Sequence, residues 1–240
     1  STLFPYTTLF RSNNFYGERR MKNFILALCF AIFTLAGCSN KKPLPASSPD
    51  PTSMFGVDKN INIMTIDKYL DRSDVVYRDM RMLFDPADYV FIGGNSDLDA
   101  TIRGFKIVPY PYLASLSELP VTGAYEGNTL FSLTWDSDGN IATVTENYDE
   151  SMLVLEDLFP KDKVIFLMCG GGGYAGMTKA LLIKLGWDEK KLYNIGGNWA
   201  YQGKNRYEII KYAENPDEHN VFATWRADYA YIDFSRLHRK

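Results

Sequence analysis

The stretch VIFLMCGGGGYAG, Val164 to Gly176, decides how the rest of the chain is read. Five apolar residues run without interruption into Cys169, and four glycines follow. A continuous apolar run of this length marks a central strand covered on both faces. Glycine loses more backbone freedom on folding than any other residue, so four in succession imply that bare backbone is wanted there. Next, AGMTKALLIKLG (Ala175 to Gly186) reads as a helix with Gly186 as its stop. Cys169 therefore falls at the carboxyl end of a strand, where open α/β sheets bind ligands. A helix N-terminus presents unpaired N–H groups and about half a positive charge. A thiolate at that point is stabilised, so a depressed thiol pKa is expected. The glycines let successive amides curl around one anion.

Working outward, DVVYRDMR (Asp74 to Arg81), DYVFIGG (Asp88 to Gly94) and GFKIVPYPYL (Gly104 to Leu113, leaving the strand at Pro109) read as further apolar runs, mainly strands. TLFSLTWDSDGNIATVT (Thr129 to Thr145) has the form of a β-hairpin, with its turn at Asp136 to Asn140. YDESMLVLEDLFP (Tyr148 to Pro160) is helical, with Asp149 as the expected cap, and KLYNIGG is a short strand. INIMTIDKYL (Ile61 to Leu70) is a lead-in and helix start, capped at Thr65. Strands alternating with helices predict an α/β domain with a mainly parallel sheet.

The chain has 240 residues, a formal net charge of -3, 46% hydrophobic residues and 23% charged residues. These proportions are ordinary for a globular protein. There is no basic excess to attract nucleic acid. The two histidines, His219 and His238, lie near the C-terminus, and no Cys/His cluster has zinc spacing, so no metal is expected.

The first 20 residues are set apart, because LFPYTTLFRS (Leu3 to Ser12) resembles a translated sequencing adapter, and Met21 is the expected start. From Met21, Lys22 and the apolar run Phe24 to Leu35 read as a signal peptide. That run is too short for a comfortable membrane span of roughly 20 residues. It ends in Leu35-Ala36-Gly37-Cys38, which resembles a bacterial lipobox. The resemblance implies cleavage before Cys38, lipid on its thiol, and export to a bacterial membrane, anchored at its periplasmic or extracellular face. SNKKPLPASSPDPTS then reads as a polar tether. Cys29 would leave with the signal peptide, so the mature domain keeps one thiol, Cys169, which is either inert and buried or reactive.

Three motifs compete at the glycine loop. Gly171, Gly173 and Gly176 satisfy G-x-G-x-x-G, but the acidic residue expected about 20 positions on is missing, with Asn194 near its place. A phosphatase loop of the Cys-x5-Arg kind would need an arginine where Ala175 stands. The third reading resembles a rhodanese-like domain. VVYRDMR supplies Asp79 and Arg81, TIRGFKIVP supplies Ile102, Gly104, Ile107 and Pro109, and the Cys loop and helix follow with LYNIGGNWAY after them. This resemblance covers about 61–203. It departs at the fifth place after the cysteine, where a basic residue is usual and Tyr174 stands.

The resemblance implies a three-layer fold with a central, mainly parallel sheet at 57–213. The hairpin would be an insertion at about 114–147 and 214–240 an extension, after a leader at 1–20, a signal peptide at 21–37 and a lipidated linker at 38–56. It also implies sulfurtransferase chemistry without a cofactor. Cys169 would take sulfur from a small donor as a persulfide, held by the amides of Gly170, Gly171, Gly172, Gly173 and Tyr174, and pass it to a thiol acceptor. The missing loop cation removes a charge-assisted hydrogen bond worth about 1.5–3 kcal/mol, so weak use of dianionic thiosulfate is expected. Asp79 and Arg81, two residues apart on a strand, read as braces for loops. Tyr110, Tyr112, Trp135, Trp199 and Tyr201 read as packing, with Trp199 and Tyr174 near the strand ends. Two function classes stay open: a membrane-anchored sulfurtransferase, and a binding or sulfur-carrier module.

Overall fold

A computed structural model describes residues 42–83, 85–88, 98–114, 125–209, 211–213, 221–223 and 228–240. The chain divides into residues 1–40 and 41–240. The leader, the signal peptide with Cys29, and Cys38 lie outside the described residues, as does most of the apolar run from Asp88 to Gly94. Among the described residues no helix is long and apolar enough to cross a membrane.

In chain order the elements are β1 (Val75–Asp79), β2 (Ala100–Ile102), β3 (Lys106–Ile107), the single-turn α1 (Tyr110–Leu113), β4 (Phe131–Trp135), β5 (Ile141–Glu146), α2 (Ser151–Leu158), β6 (Val164–Cys169), α3 (Gly173–Lys184), β7 (Leu192–Gly197), β8 (Arg206–Glu208), β9 (Lys211–Ala213) and β10 (Val221–Ala223). Four strands form a parallel sheet in the order β3-β1-β6-β7. The pairs β2–β8, β4–β5 and β9–β10 are antiparallel ribbons. The protein is thus a mixed α/β fold around a central parallel sheet. β6 lies inside that sheet, in register with β1 from Val75↔Val164 to Asp79↔Met168.

Alternation along β6 divides the core. Ile165, Leu167 and Cys169 pack with Leu155 and Leu158 of α2 and with Ala175, Leu181 and Leu182 of α3. Phe166 and Met168 pack with Tyr77, Tyr193 and Ile195. The Phe166 ring meets Tyr77 edge-on at 5.6 Å and Tyr193 at 5.2 Å. Each such buried side chain contributes about 1.5–3 kcal/mol. α3 leaves its last turn through Gly186, whose N–H reaches Ile183 O while Trp187 N–H reaches Leu182 O.

Two local expectations change. The helix start at Thr65 is only a 3-10 turn, Ile66–Lys68. Thr65 Oγ1 does not cap it; it accepts from Asn62 N and donates to Asn60 O, and Asn62 Oδ1 accepts from Met64 N. Such side-chain-to-backbone bonds compete with helix. On this second face the sheet is therefore covered by Ile66 from the 3-10 turn and by Ile61, Phe105 and Tyr201 from irregular segments. At α2 the cap position falls on Glu150 and not Asp149, without a side-chain cap. Ser151 Oγ ties this corner, accepting from Tyr148 N and donating to Leu130 O.

The segment expected as a tether lies against β7 from Pro45 onward. Tyr193 Oη donates to Pro45 O (2.7 Å), Ser47 Oγ to Leu192 O (2.9 Å), and Asp58 N to Asn194 O (2.7 Å). β7 is an edge strand, and the backbone groups along its free side need partners.

Candidate functional site

β6 and β7 lie in register until Leu167↔Asn194, then skip to Met168↔Gly196 and Cys169↔Gly197. This bulge re-aims the end of β7 over the glycine loop. The Asn194 side chain holds it there. Its Oδ1 accepts from Gly196 N (3.0 Å), and its Nδ2 donates to Gly172 O (3.1 Å) and Phe55 O (2.8 Å). One amide thus ties the bulge, the loop and the N-terminal segment together.

The loop glycines have separate jobs. Gly172, at the N-cap position of α3, sits at φ +103°, a conformation that a side chain would strain. Gly170 and Gly171 lie under the Trp199 indole. A β-carbon at Gly171 would come within 2.9 Å of that ring, and one at Gly170 would come closer still. The Trp199 backbone N–H donates to Gly170 O at 3.1 Å, tying the loop to the residue whose indole covers it.

Cys169 is 3% exposed. Its Sγ accepts from Gly172 N–H at 3.0 Å. The sulfur therefore satisfies an amide at the start of α3, the task usually done by an N-cap side chain. The expected depressed pKa is corrected. Burial pushes the Cys169 thiol up, the Ala175 and Gly172 amides offset part of the rise, the Asp79 charge adds to it, and Arg81 counters. Dehydrating a thiolate outweighs the helix terminus at this depth.

Tyr174 is at the loop's end, but its proton is committed elsewhere. Its hydroxyl donates to Asp85 Oδ2 (2.7 Å), and its ring stacks on Tyr110 with centroids 5.5 Å apart. The Tyr174 phenol is held by that carboxylate.

Asp79 and Arg81 form a buried bidentate pair, Nε to Oδ1 at 2.9 Å and Nη2 to Oδ2 at 2.6 Å. Arg81 Nη2 also donates to Ala100 O, and Thr101 Oγ1 donates to Asp79 Oδ2. The pair thereby braces β2 against the end of β1. Burial disfavours the guanidinium charge, yet Asp79 outweighs it and holds the Arg81 pKa above its usual value; Cys169 and Asp99 add to that field. Among the described residues no three His, Cys, Asp or Glu side chains converge on a metal position.

Neither a family model, nor a curated protein, nor a solved structure matches the chain.

The structure places the Gly172 amide on the Cys169 sulfur and the Tyr174 hydroxyl on Asp85. Phe55, Asn194 and the Arg81 charge belong to the same site. Asn194 was legible in principle, since Asn two residues before a glycine is a turn-forming signal. Phe55 carried no such signal, because its contacts with the loop span more than a hundred residues.

Proposed function

We propose that this protein handles sulfane sulfur on Cys169, as a rhodanese-like sulfurtransferase. The observation that carries the reading is the Cys169 sulfur at the carboxyl end of a parallel strand, receiving the Gly172 amide hydrogen bond at the start of α3. An amide aimed at a sulfur favours it when it becomes negative.

The reaction balances as an exchange. The Cys169 thiol loses its proton, and its thiolate attacks the outer sulfur of a persulfide donor. The donor's S–S bond breaks, and the departing thiolate takes up a proton. Cys169 is left as a persulfide. An acceptor thiolate then attacks the outer sulfur and releases Cys169. No net oxidation occurs.

A second reading is favoured by the burial of Cys169 and its raised pKa. A thiol held this way turns over slowly and suits a sulfur carrier or binding module. Peptide mass spectrometry of the full chain after exposure to glutathione persulfide, and separately to thiosulfate, distinguishes them. A gain of one sulfur on the Cys169 peptide, absent in Cys169→Ser and discharged by an added thiol, supports the transferase. A gain that resists discharge supports the carrier. No gain from either donor overturns both.

Membrane anchoring through lipid on Cys38 remains part of the proposal. It is checked by labelling cells with a fatty-acid analogue, where Cys38→Ala should abolish incorporation.

A further inference from the structure

Arg81 carries five N–H donors. Nε and Nη2 are committed to Asp79 and Ala100. Nη1 is sealed from solvent with no hydrogen-bond partner, the one side-chain atom so placed among the described residues. The whole side chain is only 8% exposed. A charged donor buried without an acceptor is costly. Its presence in a folded protein points to an acceptor that belongs to another state of the site.

The charges around the guanidinium are Asp79, Cys169 and Asp99, and those around the Cys169 sulfur are Asp79 and Arg81. Asp79 already accepts at both oxygens. Asp99 pairs with Arg206 at 3.1 Å. Cys169 is the remaining member of that set, and it becomes an acceptor of full strength only when its sulfur is negative.

Building on the sulfur chemistry above, we propose that Arg81 Nη1 donates the hydrogen bond that holds negative sulfur at Cys169, as thiolate or persulfide, supplying from just beyond β1 the cation that the glycine loop lacks. The proposal also names a substrate class. The Arg81 charge is already opposed by Asp79, so beyond the partial charge of the helix terminus the site has little net positive charge to set against a second negative charge on a donor. It favours monoanionic alkyl persulfides over dianionic thiosulfate.

The test needs no sulfur donor. The full chain is alkylated with iodoacetamide across a pH series, and mass spectrometry of the Cys169 peptide gives the ionisation midpoint. Arg81→Lys keeps a cation opposite Asp79 but has no counterpart to Nη1. Its midpoint should rise by about one pH unit, a roughly tenfold smaller thiolate fraction below the midpoint. Asp79→Asn should move the midpoint down. An unchanged midpoint in folded Arg81→Lys overturns the proposal.

If either variant fails to fold by circular dichroism, the wild type still decides. Exchange of the Arg81 Hη protons, followed by NMR, should slow above the Cys169 midpoint. Unchanged exchange overturns the proposal. A shifted midpoint together with no loading from glutathione persulfide upholds the part played by Arg81 and overturns the sulfurtransferase reading.

Discussion

Two glycine-bearing turns in this protein do opposite things. In the β4–β5 hairpin, Gly139 adopts φ +79° with nothing near the place of a β-carbon. The turn is held by its own residues, with Asp136 Oδ1 accepting from Asp138 N and Asn140 N. Around Cys169 the glycines make room for something else: an indole over Gly170 and Gly171, and the end of β7 packed against Gly170. The first turn is local and self-sufficient. The second is a meeting of four segments, so a change in any of them should be felt at the sulfur.

That contrast is sharpest at Gly197. A β-carbon there would run into the Gly170 carbonyl and the Gly171 backbone, which cannot rotate away. Gly197→Ala should destabilise by about 3 kcal/mol in urea unfolding, at the upper end of overpacking costs. A near-neutral result would break the comparison. Gly170→Ala meets a side chain instead of backbone, so the indole can shift. The expected loss is about 1–2 kcal/mol, with faster alkylation of Cys169.

Trp199→Ala separates stability from access. The side chain is 42% exposed, so its removal should cost only about 1 kcal/mol, yet the Cys169 alkylation rate should rise several-fold. An unchanged rate would show that the indole does not hold the loop closed. Gly139→Ala should cost about 1 kcal/mol from backbone strain alone and leave Cys169 labelling untouched.

The smallest effect is expected at the surface clasp, where His238 Nδ1 meets Glu150 Oε1 at 2.5 Å. The hydrogen bond to Glu150 and its charge raise the His238 pKa above the ordinary 6.5. This stabilisation is fully present below 6.5 and is lost as pH rises through the higher folded value. The His238 partner lowers the Glu150 pKa below 4.5, so that contribution is present above 4.5 and fades as pH falls through the lower folded value. Thermal unfolding across this range should show a shallow maximum between the two, absent in His238→Gln.

The sequence was legible where period and punctuation agree. The apolar run of β6, the helical spacing of α3 and the Asp-Ser-Asp-Gly-Asn turn each specify their own structure within a dozen residues. The site was legible to the extent of placing Cys169 at a strand end before a helix. The direction of its pKa was not, because burial is decided by α2, α3 and β1 together. Nor was the third donor of Arg81, since its spacing from Asp79 reveals the brace and not the unfilled nitrogen. The Pro- and Ser-rich stretch before residue 57 has the composition of a tether, yet it supplies partners to the free side of β7. Composition records what a segment can do alone, and an exposed strand edge alters that.

The docking of this stretch bears on where the protein can be cut. A fragment starting at Pro51 would discard Pro45, Ser47 and Ser48, which bond to Tyr193, Leu192 and Asp58. It would leave Phe55, whose carbonyl holds Asn194 and through it the loop, at a frayed end. Reactivity of Cys169 measured on such a fragment would describe a loosened site. A boundary near residue 42 preserves the strap with the domain that it completes.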